Sequence, residues 1–431
     1  MNSRAMLLLT SLLLAACTAT GPRGDAPDAG IARRSGFRAG ARPQALAFSW
    51  PDGIRSGAAL SEDQAIAIAL WNNPSFQAAL SELGLARAEV IKAGQLPNPA
   101  LGLLLPNNDK ALELALKLPL DALWLRPLRV QAAQLDAQAT ADRLTQGGLN
   151  VIRDVRIACA GIELARQRRQ HAEESAAAFA GMAKIADARR DAGDTGELEP
   201  SQARAEAEVS RQEAQRLAHE EKLAVENLRA LLGMSSGDEA LSLRPQPTAR
   251  SDAPASVNSL LATALASRPD IRAAELSVLA AGARARLAKA EILSLTAAGK
   301  FTNGSGSQAG LDGTLPLNQN KAARALADAG VEKALRLLNV ARERAAAEVR
   351  SARARLEEAR AVSRGWETTL PALRTALAAA QRSVELGEAN QLIALDAARR
   401  LADARAKSAE SESRLREARA QLEHATGRTL P

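Results

Sequence analysis

Apolar residues recur every three or four positions over most of the chain, and charged residues fill the positions between them. This period matches one face of an α-helix, where side chains three and four residues apart are neighbours. The long runs predict long helices that pack side by side, and frequent Ala allows their axes to approach closely. One stripe consists of Val331, Leu335, Leu338, Ala341, Ala345, Val349, Ala352, Leu356 and Ala359. The predicted helices span residues 76–96, 128–192, 197–232, 321–386 and 391–425.

In two short segments the apolar residues recur at every second position instead. Leu alternates with Glu, Ala and Lys from Ala111 to Leu118, and residues 309–315 alternate more weakly. With partners at 101–105 and 295–302, joined by turn residues, they predict two β-hairpins with one apolar face each. An isolated hairpin is only marginally stable in water, so its apolar face must be buried against something else. Lipid covers it if the strands close into a membrane barrel; in the alternative, the hairpins cap the helical bundle.

The same order of elements occurs twice along the chain. Pro74 is repeated at Pro269, 195 residues later, and Gly193 is repeated at Gly387, 194 residues later. A common spacing between landmarks so far apart indicates an internal duplication. The predicted repeats span residues 59–250 and 251–431.

The N-terminal residues have the pattern of a targeting signal. Residues 1–16 combine a positive start with an apolar run that is too short to span a bilayer, which is typical of a signal peptide. The motif Leu14-Ala15-Ala16-Cys17 resembles a bacterial lipobox, so Cys17 is the candidate lipid-attachment site; an ordinary signal peptide with an incidental cysteine is the alternative. Thr18 follows Cys17, so the Asp that retains such lipoproteins at the inner membrane is missing. The resemblance therefore points to the periplasmic face of the outer membrane. Residues 17–58, rich in Gly, Pro, Ala and Arg, are predicted to form a flexible or extended tether.

Composition excludes several classes of protein. Four Trp, five Phe and no Tyr are too few for an aromatic-lined pocket or a thick globular core. Three widely separated His residues give no metal-ligand spacing, and no nucleophile–His–acid set or Gly-rich phosphate loop is present. We therefore predict no catalytic residue, cofactor or metal ligand, and no enzyme. The net charge is +7, and the basic residues alternate with acidic ones along the helices. This distribution favours a solvated surface over a nucleic-acid partner. Cys159 is predicted to be buried.

The chain combines the lipobox with a duplicated order of helix, hairpin, long helix, glycine turn and return helix. It also contains two proline segments, around Asn73-Pro74 and at Leu96-Pro97-Asn98-Pro99. Together these features resemble the TolC-type outer-membrane efflux family over residues 60–427. The lipidated channels of RND-type drug and heavy-metal pumps are the most similar branch. The resemblance implies a mainly α fold, a tunnel of long antiparallel helical hairpins. Each chain of a homotrimer would add two short β-hairpins to a transmembrane β-barrel. It also implies a passive export conduit whose partners are a periplasmic adaptor protein and an inner-membrane pump.

The resemblance further assigns three site residues. Gly193 and Gly387 correspond to the helical turns where the adaptor docks, and the alternative is a turn glycine without a partner. Asp396 matches a carboxylate that projects into the closed tip, where three copies would form a cation-selecting ring. Ile393 stands where the family often has a second carboxylate, and an ordinary solvated Asp396 is the alternative.

Two departures from the family pattern are consistent with a short, thin or partly inserted barrel. The predicted strands are at or below the length of about 9–11 residues that a tilted spanning strand needs. Only Trp124 and Phe301 lie where an aromatic girdle is expected.

A second hypothesis competes with the channel. It is a lipid-anchored periplasmic coiled-coil scaffold that forms no open channel and whose hairpins never enter the bilayer.

Overall fold

The computed structural model describes residues 26–39, 48–105, 112–235, 241–245, 255–291, 293–302, 306–314 and 317–429. Its helices are α1 (Ala26–Ser35), α2 (Glu62–Asn72), α3 (Pro74–Gly94), α4 (Asp121–Asp191), α5 (Leu198–Leu232), α6 (Val257–Ser267), α7 (Pro269–Ala290), α8 (Lys321–Glu385) and α9 (Gln391–Thr426). Its strands are β1 (Ala100–Leu104), β2 (Glu113–Pro119), β3 (Ser294–Thr302) and β4 (Gly306–Thr314).

The predicted long helices are confirmed. Helices α4 and α8 contain 71 and 65 residues, and each is about 100 Å long at the α-helical rise. Helix α4 begins at Asp121 rather than at the predicted residue 128, because it continues through Pro127. A proline has no N–H to donate to the preceding turn. There the Nη2 of Arg129 donates a hydrogen bond to the backbone oxygen of Ala122, at 3.2 Å.

The two predicted β-hairpins are also confirmed, and they join into one antiparallel sheet in the order β1-β2-β3-β4. Within the hairpins, Leu103 lies opposite Leu114 and Ala297 opposite Leu311. The pairing of β2 with β3 places Leu114 opposite Phe301 and so connects the two repeats. The alternation along each strand did not predict which strands of the two hairpins are neighbours.

The chain forms two compact units, and each unit contains segments of both repeats. The first comprises residues 1–30, 78–146 and 268–344, and the second comprises residues 31–77, 147–267 and 345–431. The first therefore holds the sheet and the second holds both glycine turns. The repeats are thus not two separate bodies, because each contributes elements to both units.

Small apolar side chains fill the core of the second unit. One cluster joins α6, α8 and α9, and its members include Leu260, Ala264, Val349, Ala352, Leu356, Leu415, Ala418 and Leu422. The predicted stripe on α8 is buried from Ala345 to Ala359, whereas Leu335 is 51% exposed. Ala and Leu rather than aromatic residues make up this contact, as the composition predicts.

The prediction of a flexible or extended tether is wrong for residues 26–35. These residues form helix α1, and its Ile31 is completely buried. Ile31 fits against Gly148 of α4 so closely that an added Cβ at Gly148 would lie 2.3 Å from the Ile31 Cδ1 atom. The backbone oxygen of Arg34 also accepts a hydrogen bond from the backbone N–H of Thr429, at 3.0 Å. Packing against α4 and a hydrogen bond from Thr429 near the C-terminus explain why this Gly- and Ala-rich segment becomes helical.

None of the described helices is both long and apolar enough to cross a membrane. Cys17 lies outside the described residues.

Candidate functional site

The two predicted site glycines, Gly193 and Gly387, end the two longest helices with the same hydrogen-bond pattern. Gly193 donates to Arg190 and the following Asp194 donates to Arg189, both at 2.9 Å. The corresponding bonds after α8 connect Gly387 to Val384 at 3.1 Å and Glu388 to Ser383 at 2.9 Å. This is the Schellman pattern, in which the residue after the helix takes a left-handed conformation. The φ angles of +80° and +75° are of the kind that glycine adopts without a steric penalty.

The first turn is surrounded by a closed network of ion pairs. Arg204 contacts Asp187 at 2.7 Å and Glu197 at 3.4 Å, while Arg190 also contacts Glu197 at 3.4 Å. The Arg204 guanidinium hydrogen-bonds to Asp187 and lowers the pKa of that carboxyl below its ordinary value. These groups are exposed, so each pair contributes little to stability. Together they connect the end of α4 to the start of α5.

The second turn carries fewer charges than the first, and exposed apolar residues lie beside it as Leu198 lies beside the first. Leu386 is 65% exposed and Ile393 is 55% exposed. The side chain of Asn390 accepts a hydrogen bond from the backbone N–H of Leu392, at 2.9 Å, and so caps the start of α9. The two turns, which sequence repetition makes equivalent, therefore present different surfaces.

A cluster of apolar side chains packs α9 against α4 and α5 close to both turns. It contains Phe179, Met182, Ala183, Ala186, Ala203, Leu395 and Ala398. The buried side chain of Gln391 donates a hydrogen bond to the backbone oxygen of Met182, at 3.2 Å. Arg399 of α9 also pairs with Glu206 of α5. The structure thus brings the two predicted turn regions into one packed assembly.

Asp396 lies on the exposed side of α9, with 57% of its side chain accessible. Its carboxylate pairs with Arg400 one helical turn later, at 2.9 Å. Sequence reasoning missed Arg400, although the spacing of four residues is the signal for such a pair. In this chain the carboxylate therefore has a cation beside it.

The sheet has two chemically distinct faces. Residues opposite one another in an antiparallel pair project to the same face, so the register divides the sheet cleanly. What we call the apolar face carries Leu101, Leu103, Leu114, Leu116, Leu118, Leu295, Ala297, Phe301 and Leu311. What we call the polar face carries Glu113, Lys117, Thr296, Lys300, Thr302, Gln308 and Asp312. Every charged residue of the strands lies on the polar face.

Metal-ligating and nucleophilic side chains are predicted from the sequence to be absent or buried. None of the described residues forms a group of three or more His, Cys, Asp or Glu arranged to hold a metal ion. Cys159 is buried, as predicted, and burial, with a smaller contribution from Glu62, raises the pKa of its thiol to about 12. A thiol with such a pKa is a poor nucleophile at neutral pH. A cleft of about 520 Å³ between α4, α5 and α9 is lined by paired charges such as Arg168 with Glu410.

Residues 65–234 and 260–428 each match the sequence profile of the family described as outer membrane efflux protein. The chain belongs to this family. Its members are channels rather than enzymes, and the two matched ranges correspond to the two halves of the duplication. The family match identifies the protein as an outer-membrane efflux channel. No curated protein matches the chain significantly.

Solved structures share the fold. CusC, described in connection with folding and transmembrane channel formation, is 21% identical with a TM-score of 0.72 over 91% of this chain and 98% of its own. A membrane protein from Pseudomonas aeruginosa is 22% identical with a TM-score of 0.73, covering 88% of this chain and 99% of its own. VceC from Vibrio cholerae is 20% identical with a TM-score of 0.68, covering 85% and 96%. The fold is therefore that of TolC-type channels.

Proposed function

We propose that three copies of this chain form a passive exit duct through the outer membrane. The observation that carries the proposal is the sheet, which has one apolar face, one polar face and two unpaired edges, β1 and β4. Within lipid, each unpaired backbone group costs several kcal/mol, so an open sheet is excluded and a closed one is stable. Three copies of a four-stranded sheet close a barrel of twelve strands when β1 of one chain pairs with β4 of the next.

The faces of the sheet fit such a barrel. The apolar face, with Leu103, Leu114 and Phe301, would contact lipid, and the polar face would line the water-filled pore. Strand β4 has nine residues, which meets the length of a spanning strand, whereas β1 has five. Residues 106–111, outside the described part of the chain, separate β1 from β2.

The long helices would continue the pore into the periplasm. Helices α4 and α8, each about 100 Å long, and their return helices supply four helical strands per chain. The chain would bind no substrate covalently and couple to no energy source. An inner-membrane pump would drive transport from the periplasmic side, and a periplasmic adaptor would connect pump and channel.

The glycine turns are the proposed adaptor-docking tips. Apart from the chain neighbours of Gly193 and Gly387, no described residue lies within 4 Å of the position that a Cβ would occupy, so both turns have room for a partner. The exposed Leu386 and Ile393 add apolar area beside the second turn. A docked helical hairpin would bury this area.

Asp396 is the proposed tip gate, acting together with Arg400. In a trimer, three Asp396–Arg400 pairs would encircle the axis instead of three bare carboxylates. Such a ring has little net charge, so its contribution to cation selection would be smaller than that of carboxylates alone.

The N-terminus would hold the channel at its membrane. We propose that residues 1–16 are removed as a signal peptide and that Cys17 is then acylated, which adds a lipid anchor on the periplasmic leaflet of the outer membrane. One acyl chain alone binds a membrane reversibly. The sheet would supply the permanent insertion.

Two measurements on the full-length protein test the channel proposal. Purified protein added to planar lipid bilayers should give discrete conductance steps. The variant Cys17→Ser should stay in outer-membrane fractions after extraction with urea, because the sheet holds it there. Absence of conductance together with release of that variant by urea would overturn the channel and support a tethered scaffold.

A further inference from the structure

The four charges on the polar face of the sheet differ in whether they are neutralised within the chain. Lys300 of β3 contacts Glu113 of β2 at 2.8 Å, across the strand pair that joins the two repeats. In the described part of the chain, Lys117 and Asp312 have no such ion-pair partner, and both side chains are exposed. The polar face therefore carries one internal pair and two free charges.

Lys117 and Asp312 are too far apart to neutralise each other. Lys117 lies opposite Ala298, and Asp312 lies opposite Thr296, so β3 separates them and they are displaced by two residues along the strands. Strand spacing and rise place their backbones about 12 Å apart. Lys117 and Asp312 form no ion pair with each other in the described part of the chain, so both charges remain available to act on a passing ion.

The surroundings of these two charges leave them open to the pore. The neighbours on the polar face include the small residues Ala115, Ala298 and Gly310, which cannot cover a lysine or an aspartate. Both charges also lie in the half of the sheet next to the helices, since Lys117 precedes α4 by four residues and Asp312 is two residues before the end of β4. Glu113 and Lys300 lie toward the opposite end of the sheet.

We propose that Lys117 and Asp312 determine the ion preference of the exit pore, and that Glu113 and Lys300 do not. In three copies, Lys117 forms a positive ring and Asp312 a negative ring at a different depth. The two rings oppose each other, so the native pore discriminates weakly between small cations and anions. Removing either ring leaves the other unopposed. This inference rests on the proposed channel.

Conductance under a KCl gradient tests the inference. Lys117→Gln should raise the K⁺ to Cl⁻ permeability ratio, and Asp312→Asn should lower it, each by about sevenfold, because three screened unit charges about 8 Å from a permeating ion change the permeability of cation and anion in opposite directions. The matched control Glu113→Gln/Lys300→Gln removes two charges that neutralise each other and should leave the ratio unchanged. Both shifts should shrink in 1 M KCl, where the screening length is about 3 Å.

Thiol labelling provides a second readout that does not depend on current. Lys117→Cys should react with a membrane-impermeant methanethiosulfonate reagent applied to outer-membrane vesicles, whereas Leu116→Cys, one residue away on the apolar face, should not. Cys159 should not contribute, because its thiol is buried and its pKa is raised to about 12.

The outcomes separate this inference from the channel proposal. If the unaltered protein gives no conductance, the channel proposal fails. If it conducts but both single variants keep the native permeability ratio, or if Leu116→Cys reacts as fast as Lys117→Cys, the assignment of Lys117 and Asp312 is overturned while the channel stands.

Discussion

Gln391 and Met182 connect the two helical hairpins of this chain near their turns. The side-chain Nε2 of Gln391 donates to the backbone oxygen of Met182 at 3.2 Å, although the residues are 209 positions apart. Gln391 is buried at the start of α9, beside the apolar cluster that includes Phe179 and Leu395. The contact fixes the second turn region relative to the first within the same compact unit.

Gln391→Ala should loosen this connection. The loss of one buried hydrogen bond is expected to cost about 1 kcal/mol and to raise local opening by roughly fivefold. Amide hydrogen exchange over residues 391–400 reports the effect. The exposed Gln381 on α8 is the matched control, since Gln381→Ala removes no hydrogen bond seen in the structure. Equal exchange rates in the two variants would mean that Gln391 contributes nothing to the contact.

Gly387→Ala should destabilise the second turn through its backbone conformation alone. No atom lies within 4 Å of the added Cβ, but φ is +75°, a conformation that costs an L-residue about 1–2 kcal/mol. Cleavage by a Glu-specific protease at Glu385 and Glu388 should accelerate by about tenfold, while the yield of the proposed trimer stays the same. Gly365→Ala, also with an unobstructed Cβ position but inside α8, should not accelerate cleavage.

Gly148→Ala should release helix α1. The new Cβ would lie 2.3 Å from Cδ1 of the buried Ile31, and overpacking of this kind costs about 1–3 kcal/mol. Trypsin should then cleave faster after Arg33 and Arg34, both in α1. Gly161 lies in α4, as Gly148 does, and the Cβ position of Gly161 has nothing within 4 Å outside its own helix backbone in the described part of the chain. Gly161→Ala should therefore leave the cleavage rate unchanged. If the double variant Gly148→Ala/Ile31→Val, which lacks the clashing Cδ1 atom but keeps most of the buried side chain, is cut no more slowly than Gly148→Ala, the clash with Ile31 is not the cause.

The first turn should depend on pH only under acidic conditions. Arg204 lowers the pKa of Asp187 in the folded chain below the unfolded value of about 3.9. The stabilisation is therefore complete above that value and is lost as pH falls through the lower folded pKa. A spin label on Ala192→Cys should keep the same mobility from pH 7 to about pH 4 and become more mobile below it. Asp187→Asn should be mobile throughout, and a transition near neutral pH would contradict this assignment.

Cys17→Ser should abolish acylation without changing the fold. The substitution removes the only proposed attachment atom, and α1 begins nine residues later. Incorporation of radioactive fatty acid measures the first effect and circular dichroism the second. Unchanged incorporation would show that Cys17 is not the attachment site.

Much of this fold could be predicted because local chemistry and overall structure agree. Four helices end at a residue with a positive φ angle, a conformation that favours glycine, and the sequence has glycine at each: Gly193, Gly233, Gly387 and Gly427. The helix ends could therefore be recognised in the sequence from these repeated glycines. The strict alternation from Leu112 to Leu118 likewise reveals β2, because one face of the sheet is apolar.

Other features depend on contacts between distant residues. Helix α1 exists because Ile31 enters a notch at Gly148, and the composition of residues 17–58 gave no sign of it. The pairing of β2 with β3 relates segments about 180 residues apart, beyond the reach of local periodicity. The Asp396–Arg400 pair is different, since its spacing of four residues was visible in the sequence.

Electron cryomicroscopy of the full-length protein in lipid nanodiscs would show whether three chains close one barrel. We expect a particle with three-fold symmetry in which β1 of each chain pairs with β4 of its neighbour, closing a twelve-stranded barrel within the lipid. We also expect the apolar face toward lipid, with Lys117 and Asp312 in the lumen. A particle whose sheets lie outside the lipid, or whose β1 and β4 edges stay unpaired, would contradict the proposed channel.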